Sequence, residues 1–155
     1  MMAGLADRFA RGAFALLVSA AVPLTGAGAA PPPSSAVIAP EPDGQVMFTT
    51  PSNNIGCTFT PAGGTAVYTP RDGGPELVCE RVAPAYVTVI MGPKGSVQRI
   101  DNPGEQGCCS LGHVLAYGQT WVKGPFTCQS RQTGLSCRRK DGRGFSLSRA
   151  AVRLF

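Results

Sequence analysis

Gly124-Pro125-Phe126-Thr127-Cys128-Gln129-Ser130-Arg131-Gln132-Thr133-Gly134-Leu135-Ser136-Cys137-Arg138 is the stretch whose reading decides the fold. Two short runs suited to strands flank a turn that Gly134 serves. Folding Pro125–Ser130 back on Leu135–Arg138 puts Cys128 and Cys137 close to opposite positions, within the roughly 5.5 Å between Cα atoms that a disulfide needs. A second hairpin follows the same logic. It joins Ile55–Thr60 to Glu76–Val82 across a long loop from Pro61 to Gly74, and Cys57 then faces Cys79. A third turns at Gly92-Pro93-Lys94-Gly95, between Tyr86–Met91 and Ser96–Ile100. In the chain-entropy account the two bridges contribute about 3 and about 2.5 kcal/mol, a large part of a small domain's net stability.

Outward from these hairpins, Gly and Pro interrupt the chain every few residues and leave only short segments between them. Gln45–Thr49, Val114–Tyr117, Gln119–Val122 and Gly144–Leu147 are further strand candidates, and Thr65–Tyr68 is a weaker one. Short strands at this spacing predict an all-β fold, a small disulfide-stapled antiparallel sandwich or barrel. A short C-terminal helical turn is expected over Ser148 to Phe155, capped by Ser148 and carrying Ala150, Ala151 and Leu154. Trp121, Phe126 and Phe145 are read as core anchors, because large aromatics dominate small β cores. Gly56, Gly118, Gly134 and Gly144 are read as positions of positive φ or close backbone approach.

The chain has 155 residues, enough for one ordinary domain. Residues 1–29 read as a signal peptide. Arg8 and Arg11 precede the uncharged apolar stretch Gly12–Leu24, and the small residues Ala27-Gly28-Ala29 suit a signal peptidase. The apolar stretch is too short for a membrane span and Pro23 breaks it, and no later segment is apolar enough to cross a bilayer. Residues 30–44 hold five prolines in fifteen positions and read as an extended linker. The folded domain is then expected over 45–155. All six cysteines (Cys57, Cys79, Cys108, Cys109, Cys128 and Cys137) lie within it. An even set after a signal peptide points to disulfides in an oxidising compartment, periplasmic or extracellular. Cys108 and Cys109 are left over by the two hairpin pairings, and the sequence leaves open whether they bond to each other, pair elsewhere or stay partly free.

Charge is unevenly placed. Residues 30–122 carry four basic and seven acidic side chains, whereas 123–155 carry eight basic side chains opposed by Asp141 alone. Arg131, Arg138, Arg139, Lys140 and Arg143 cluster around the last hairpin and are candidates for anion binding. The plainer reading of such charge is a solvated surface that keeps a small protein in solution.

Thr50-Pro51-Ser52-Asn53-Asn54-Ile55-Gly56-Cys57 resembles the opening SPSGNIGC of a family of small secreted bacterial proteins of unknown function. The ending is similar too. Tyr117-Gly118-Gln119-Thr120-Trp121, Gly124-Pro125-Phe126-Thr127-Cys128, Thr133-Gly134-Leu135-Ser136-Cys137 and Gly142-Arg143-Gly144-Phe145-Ser146-Leu147-Ser148-Arg149 resemble that family's YGxxW…GxFxC…TGxxC…GHGFxLSR. Arg143 stands where the family has His, and adjacent Cys108 and Cys109 stand where a single Cys is expected. The resemblance implies no activity.

No catalytic set is evident. His113 is the one histidine, and a Ser–His–Asp arrangement would need Ser110 and Asp101 beside it without any Gly-x-Ser-x-Gly elbow. Cys108, Cys109 and His113 form the alternative thiol-redox or enzyme centre, but no Cys-x-x-Cys is present. The same three residues match zinc-ligand spacing poorly. Scattered carboxylates select no glycosidase pair, and Gly92–Ser96 lacks the spacing of a P-loop. The expectation is therefore a secreted, non-enzymatic binding or envelope-associated module with no cofactor and no metal. An anionic envelope polymer or a membrane surface is the candidate partner for its basic face, and nucleic acid is not expected.

Overall fold

The computed structural model describes residues 33–109 and 112–155. The expected signal peptide and Ser110 lie outside the described residues. Twelve strands run in chain order among the described residues. The first six are β1 (Ser34–Ala36), β2 (Val46–Thr49), β3 (Ile55–Thr60), β4 (Glu76–Arg81), β5 (Val87–Met91) and β6 (Gln98–Asp101). The remainder are β7 (His113–Val114), β8 (Gln119–Lys123), β9 (Phe126–Arg131), β10 (Gly134–Arg139), β11 (Gly144–Leu147) and β12 (Val152–Leu154).

They form two six-stranded sheets. Sheet A has the order β1-β8-β9-β10-β11-β12, and sheet B the order β6-β5-β4-β3-β2-β7. Pairing is antiparallel except at one edge of each sheet, where β1 lies parallel to β8 and β7 parallel to β2. All three expected hairpins form, as β3–β4, β5–β6 and β9–β10. The result is a sandwich rather than a barrel.

The central strand pair of each sheet carries a disulfide. Cys57 lies opposite Cys79 and Cys128 opposite Cys137, both with Cα atoms 4.1 Å apart. Directly opposed, non-hydrogen-bonded residues come this close in antiparallel sheets. Both bridges point inward and are buried. The sulfurs of Cys57, Cys79 and Cys137 lie within 4.8 Å of one another, so the two bridges pack together at the centre of the sandwich. These sulfurs belong to disulfides, so none of them is a thiolate that could ligate a metal. Trp121 fills the space beside them, 5.0 Å from the Phe48 ring and 6.0 Å from Phe59, and Phe126 meets Phe59 at 6.2 Å. Trp121, Phe126 and Phe145 are buried core residues, as read from sequence.

Two buried arginines tie the sheets together at their ends. Arg81 donates to the carbonyls of Ala85 and, across the interface, Ser148. Arg139 donates to the carbonyls of Gly92 and Gly95 in the β5–β6 turn at 2.8 and 2.7 Å, and to both carboxylate oxygens of Asp141.

Four expectations are corrected. Val114–Tyr117 is strand only at Val114, in β7, and Tyr117 sits in a turn closed from the Gln119 N–H to the Ala116 carbonyl. The C-terminal segment is not a helical turn. The Ser148 hydroxyl accepts from the Ala151 N–H and donates to the Ala151 carbonyl, closing a tight turn around Arg149 and Ala150. Val152–Leu154 then pairs with β11 as β12. Eight residues are too few for a helix to stand without packing, whereas the edge of β11 offers ready backbone partners. The Pro-rich stretch is not wholly a linker, because Ser34–Ala36 pairs with β8. That segment falls between two groups of prolines, where backbone N–H groups are available. Thr65–Tyr68 is a turn rather than a strand, with the Thr65 hydroxyl accepting from the N–H groups of Val67 and Tyr68.

The struts give a sharp contrast within the Arg138-Arg139-Lys140 run. Arg139→Ala removes a buried guanidinium together with its hydrogen bonds to Gly92, Gly95 and Asp141 and is expected to cost about 2 to 3 kcal/mol in urea unfolding, whereas exposed Arg138→Ala is expected to cost about 1 kcal/mol or less. Equal losses at the two positions would contradict the strut role.

Candidate functional site

The bridge Cys128–Cys137 decides which side chains face outward from sheet A. Successive residues of a strand alternate between faces. With Cys128 inward, Thr127, Gln129 and Arg131 point to solvent; with Cys137 inward, Ser136 and Arg138 do the same, and Arg139 turns in. The register carries this pattern across the sheet. Thr120, Gln129, Ser136, Ser146 and Arg153 lie side by side on β8 to β12.

The outer face is thus a polar floor of hydroxyls and amides studded with cations. A groove of about 530 Å³ runs over it, lined by Thr127, Gln129, Arg131, Ser136, Arg138 and Lys140. A second depression, which shares Arg131 and Ser136, continues it towards Ser146 and Arg153. No strand of sheet A contains an Asp or Glu. The nearest carboxylate in sequence is Asp141, in the β10–β11 turn. Its hydrogen bonds from the Arg139 guanidinium hold it below the usual carboxylate range, so it is spent on the strut.

The five predicted basic residues therefore separate. Arg131, Arg138, Lys140 and Arg143 are exposed, whereas Arg139 is 2% exposed and serves the fold. The Arg138 guanidinium stacks 4.9 Å above the Phe155 ring and donates to the Gly142 carbonyl. Arg131 donates to Gln129 at 2.7 Å. Arg153 belongs to the same face but was missed, because a C-terminal helix would have put it elsewhere.

Sheet B has the opposite character. Glu76, Glu80 and Asp101 stand on its strands. Tyr68 donates to Glu76, which pushes the phenol pKa up to about 12, with burial and the Glu76 charge adding to the rise. Thr88 donates to Glu80, and Arg99 pairs with Asp101 at 2.8 Å.

The chain leaves β6 at one edge of sheet B and re-enters as β7 at the other. On the way, Cys108 and Cys109, bonded to each other, lie over Gly56. A Cβ at Gly56 would stand 2.8 and 3.0 Å from their sulfurs, so glycine is required for this close approach. The Cys108 N–H donates to the Tyr86 hydroxyl. His113 is exposed on β7, opposite Phe48. Asp101 lies on the far edge strand, five strand spacings or about 24 Å away, so the two do not form a catalytic pair.

The residues that carry the resemblance have local structural roles. Thr50 to Ile55 form the β2–β3 turn, where the Thr50 backbone N–H and hydroxyl both donate to the Ile55 carbonyl. The Asn54 amide both donates to and accepts from Ala83, stitching this turn to the β4–β5 connection. Tyr117 and Gly118 occupy the centre of a turn closed from Gln119 N–H to the Ala116 carbonyl, with Gly118 at φ +87°.

Residues 93–155 match a family of unknown function (DUF6636), less than half of the chain. The matched segment supplies β8 to β12 and with them the whole basic face. No curated protein and no solved structure matches the chain.

Burial distinguishes the three bridges chemically. Cys57–Cys79 and Cys128–Cys137 are closed off in the core, whereas Cys108 and Cys109 are half-buried at the surface. Mild reductant with a thiol label, applied to the native protein, is expected to modify Cys108 and Cys109 alone. Labelling of Cys128 or Cys137 under the same conditions would contradict this arrangement.

Proposed function

We propose that the protein is a secreted, non-enzymatic binding module that holds an anionic polymer of the cell envelope on the outer face of sheet A. One observation carries the reading: Arg131, Arg138, Lys140 and Arg153 stand on or beside a grooved sheet that bears no carboxylate. Cations without local counter-charges attract a polyanion over a distance of about a Debye length. The Ser, Thr and Gln floor adds hydrogen-bonding groups for a hydroxylated chain. A trough suits an extended polymer better than a flat lipid surface.

Export is supported by the disulfides, which persist in oxidising compartments, and by the signal-like pattern of residues 1–29. Among the described residues no helix is long and apolar enough to cross a membrane.

The test uses polygalacturonate as the polyanion. Association is expected to weaken about tenfold as salt rises from about 50 to about 300 mM. The Arg138→Ala/Lys140→Ala double variant is expected to lose about tenfold at low salt, equivalent to roughly 1.4 kcal/mol, while Arg99→Ala on sheet B changes nothing. Salt-independent binding, or equal losses from both variants, would overturn the reading. Binding to vesicles of anionic lipid but not to the polymer would assign the face to a membrane surface instead.

A further inference from the structure

A separate cavity of about 410 Å³ opens at one end of the sandwich, where the β2–β3, β9–β10 and β11–β12 turns meet the Tyr117 turn. Its size falls in the range of small-molecule sites. The wall residues are committed to the fold. Thr50 and Ser52 share a hydrogen bond, Asn54 is held by Ala83, and the Ser148 hydroxyl closes its own turn. The mouth residues are different. Tyr117, Thr133 and Arg149 make no side-chain hydrogen bond to the described residues, and Arg131 bonds only the neighbouring surface residue Gln129. Folding accounts for the wall and leaves the mouth unexplained.

We infer that this cavity is a binding site for a single anionic sugar unit. The inference rests on the polymer reading above, and Arg131 lines both the cavity and the sheet A groove, which places them side by side. Tyr117 is 40% exposed in a turn with Gly118 at φ +87°, so part of its aromatic ring is open to solvent at the cavity. The negative π face attracts the weakly positive C–H groups on one side of a sugar ring. Arg131, at the end of β9, and Arg149, in the β11–β12 turn, reach the cavity from separate segments, and their planar forks match a carboxylate or phosphate oxygen pair. The Thr133 hydroxyl and the Gln132 amide complete a rim able to donate to and accept from ring hydroxyls. A polymer lying along the groove would place its terminal unit here.

The experiment titrates the full folded chain with galacturonate, glucose 6-phosphate and neutral galactose, followed by amide NMR shifts. At least one anionic sugar is expected to bind at least about tenfold more tightly than galactose, and which one binds tells a carboxylate from a phosphate. Tyr117→Ala and Arg149→Ala are each expected to weaken it about fivefold or more with an unchanged melting temperature. Arg99→Ala, on sheet B and outside both the cavity and the groove, is expected to leave it unaltered. If polygalacturonate binds as expected but no anionic sugar does, or if neither cavity variant weakens the sugar, the cavity assignment fails while the groove stands. If the sugar responds to Tyr117 and Arg149 but the polymer ignores Arg138 and Lys140, the cavity stands and the groove reading fails.

Discussion

Two disulfides packed against each other at the centre of the sandwich set the conditions for everything else. A domain of this size buries a modest core, and here the middle of that core is sulfur, ringed by Trp121, Phe48, Phe59 and Phe126. Each bridge joins directly opposed residues on the two central strands of its sheet. That pins register as well as closing a loop. A slip of one residue would exchange the two faces of a strand, and the bridges forbid it.

Register is how a core interaction becomes a surface property. Because Cys128 and Cys137 must face inward, Arg131 and Arg138 must face outward and Arg139 must not. Sheet A thereby gathers cations on a floor without acids, while Glu76, Glu80 and Asp101 stand on sheet B and are met there by Tyr68, Thr88 and Arg99. The crossing segment with Cys108 and Cys109 runs over Gly56 on sheet B, not over sheet A. The basic end of the chain thus becomes the basic face of sheet A.

Most of the architecture was legible in sequence because it rests on local signals. Turn glycines, β-branched runs and paired cysteines identify the three hairpins and both central bridges within a residue or two at each end. What was hidden depends on partners distant in the chain. Ser34–Ala36 carries no strand signal of its own and becomes β1 only because β8 offers an edge. Ser148 is as good a helix cap as a turn closer, and the unpaired edge of β11 decides for the turn. Arg139 looks like its neighbours until strand parity turns it inward, where it reaches the Gly92 and Gly95 carbonyls of the β5–β6 turn. The cavity at the end of the sandwich joins residues from four separate turns, and no linear pattern announces such a meeting.

The most direct measurement is a map of amide chemical-shift changes across the whole folded domain when a polyanion is added at low salt. Changes are expected to concentrate on Thr127, Gln129, Arg131, Ser136, Arg138 and Arg153, on the outer face of sheet A. Changes centred on β4 to β6 of sheet B, or spread evenly over both faces, would contradict it.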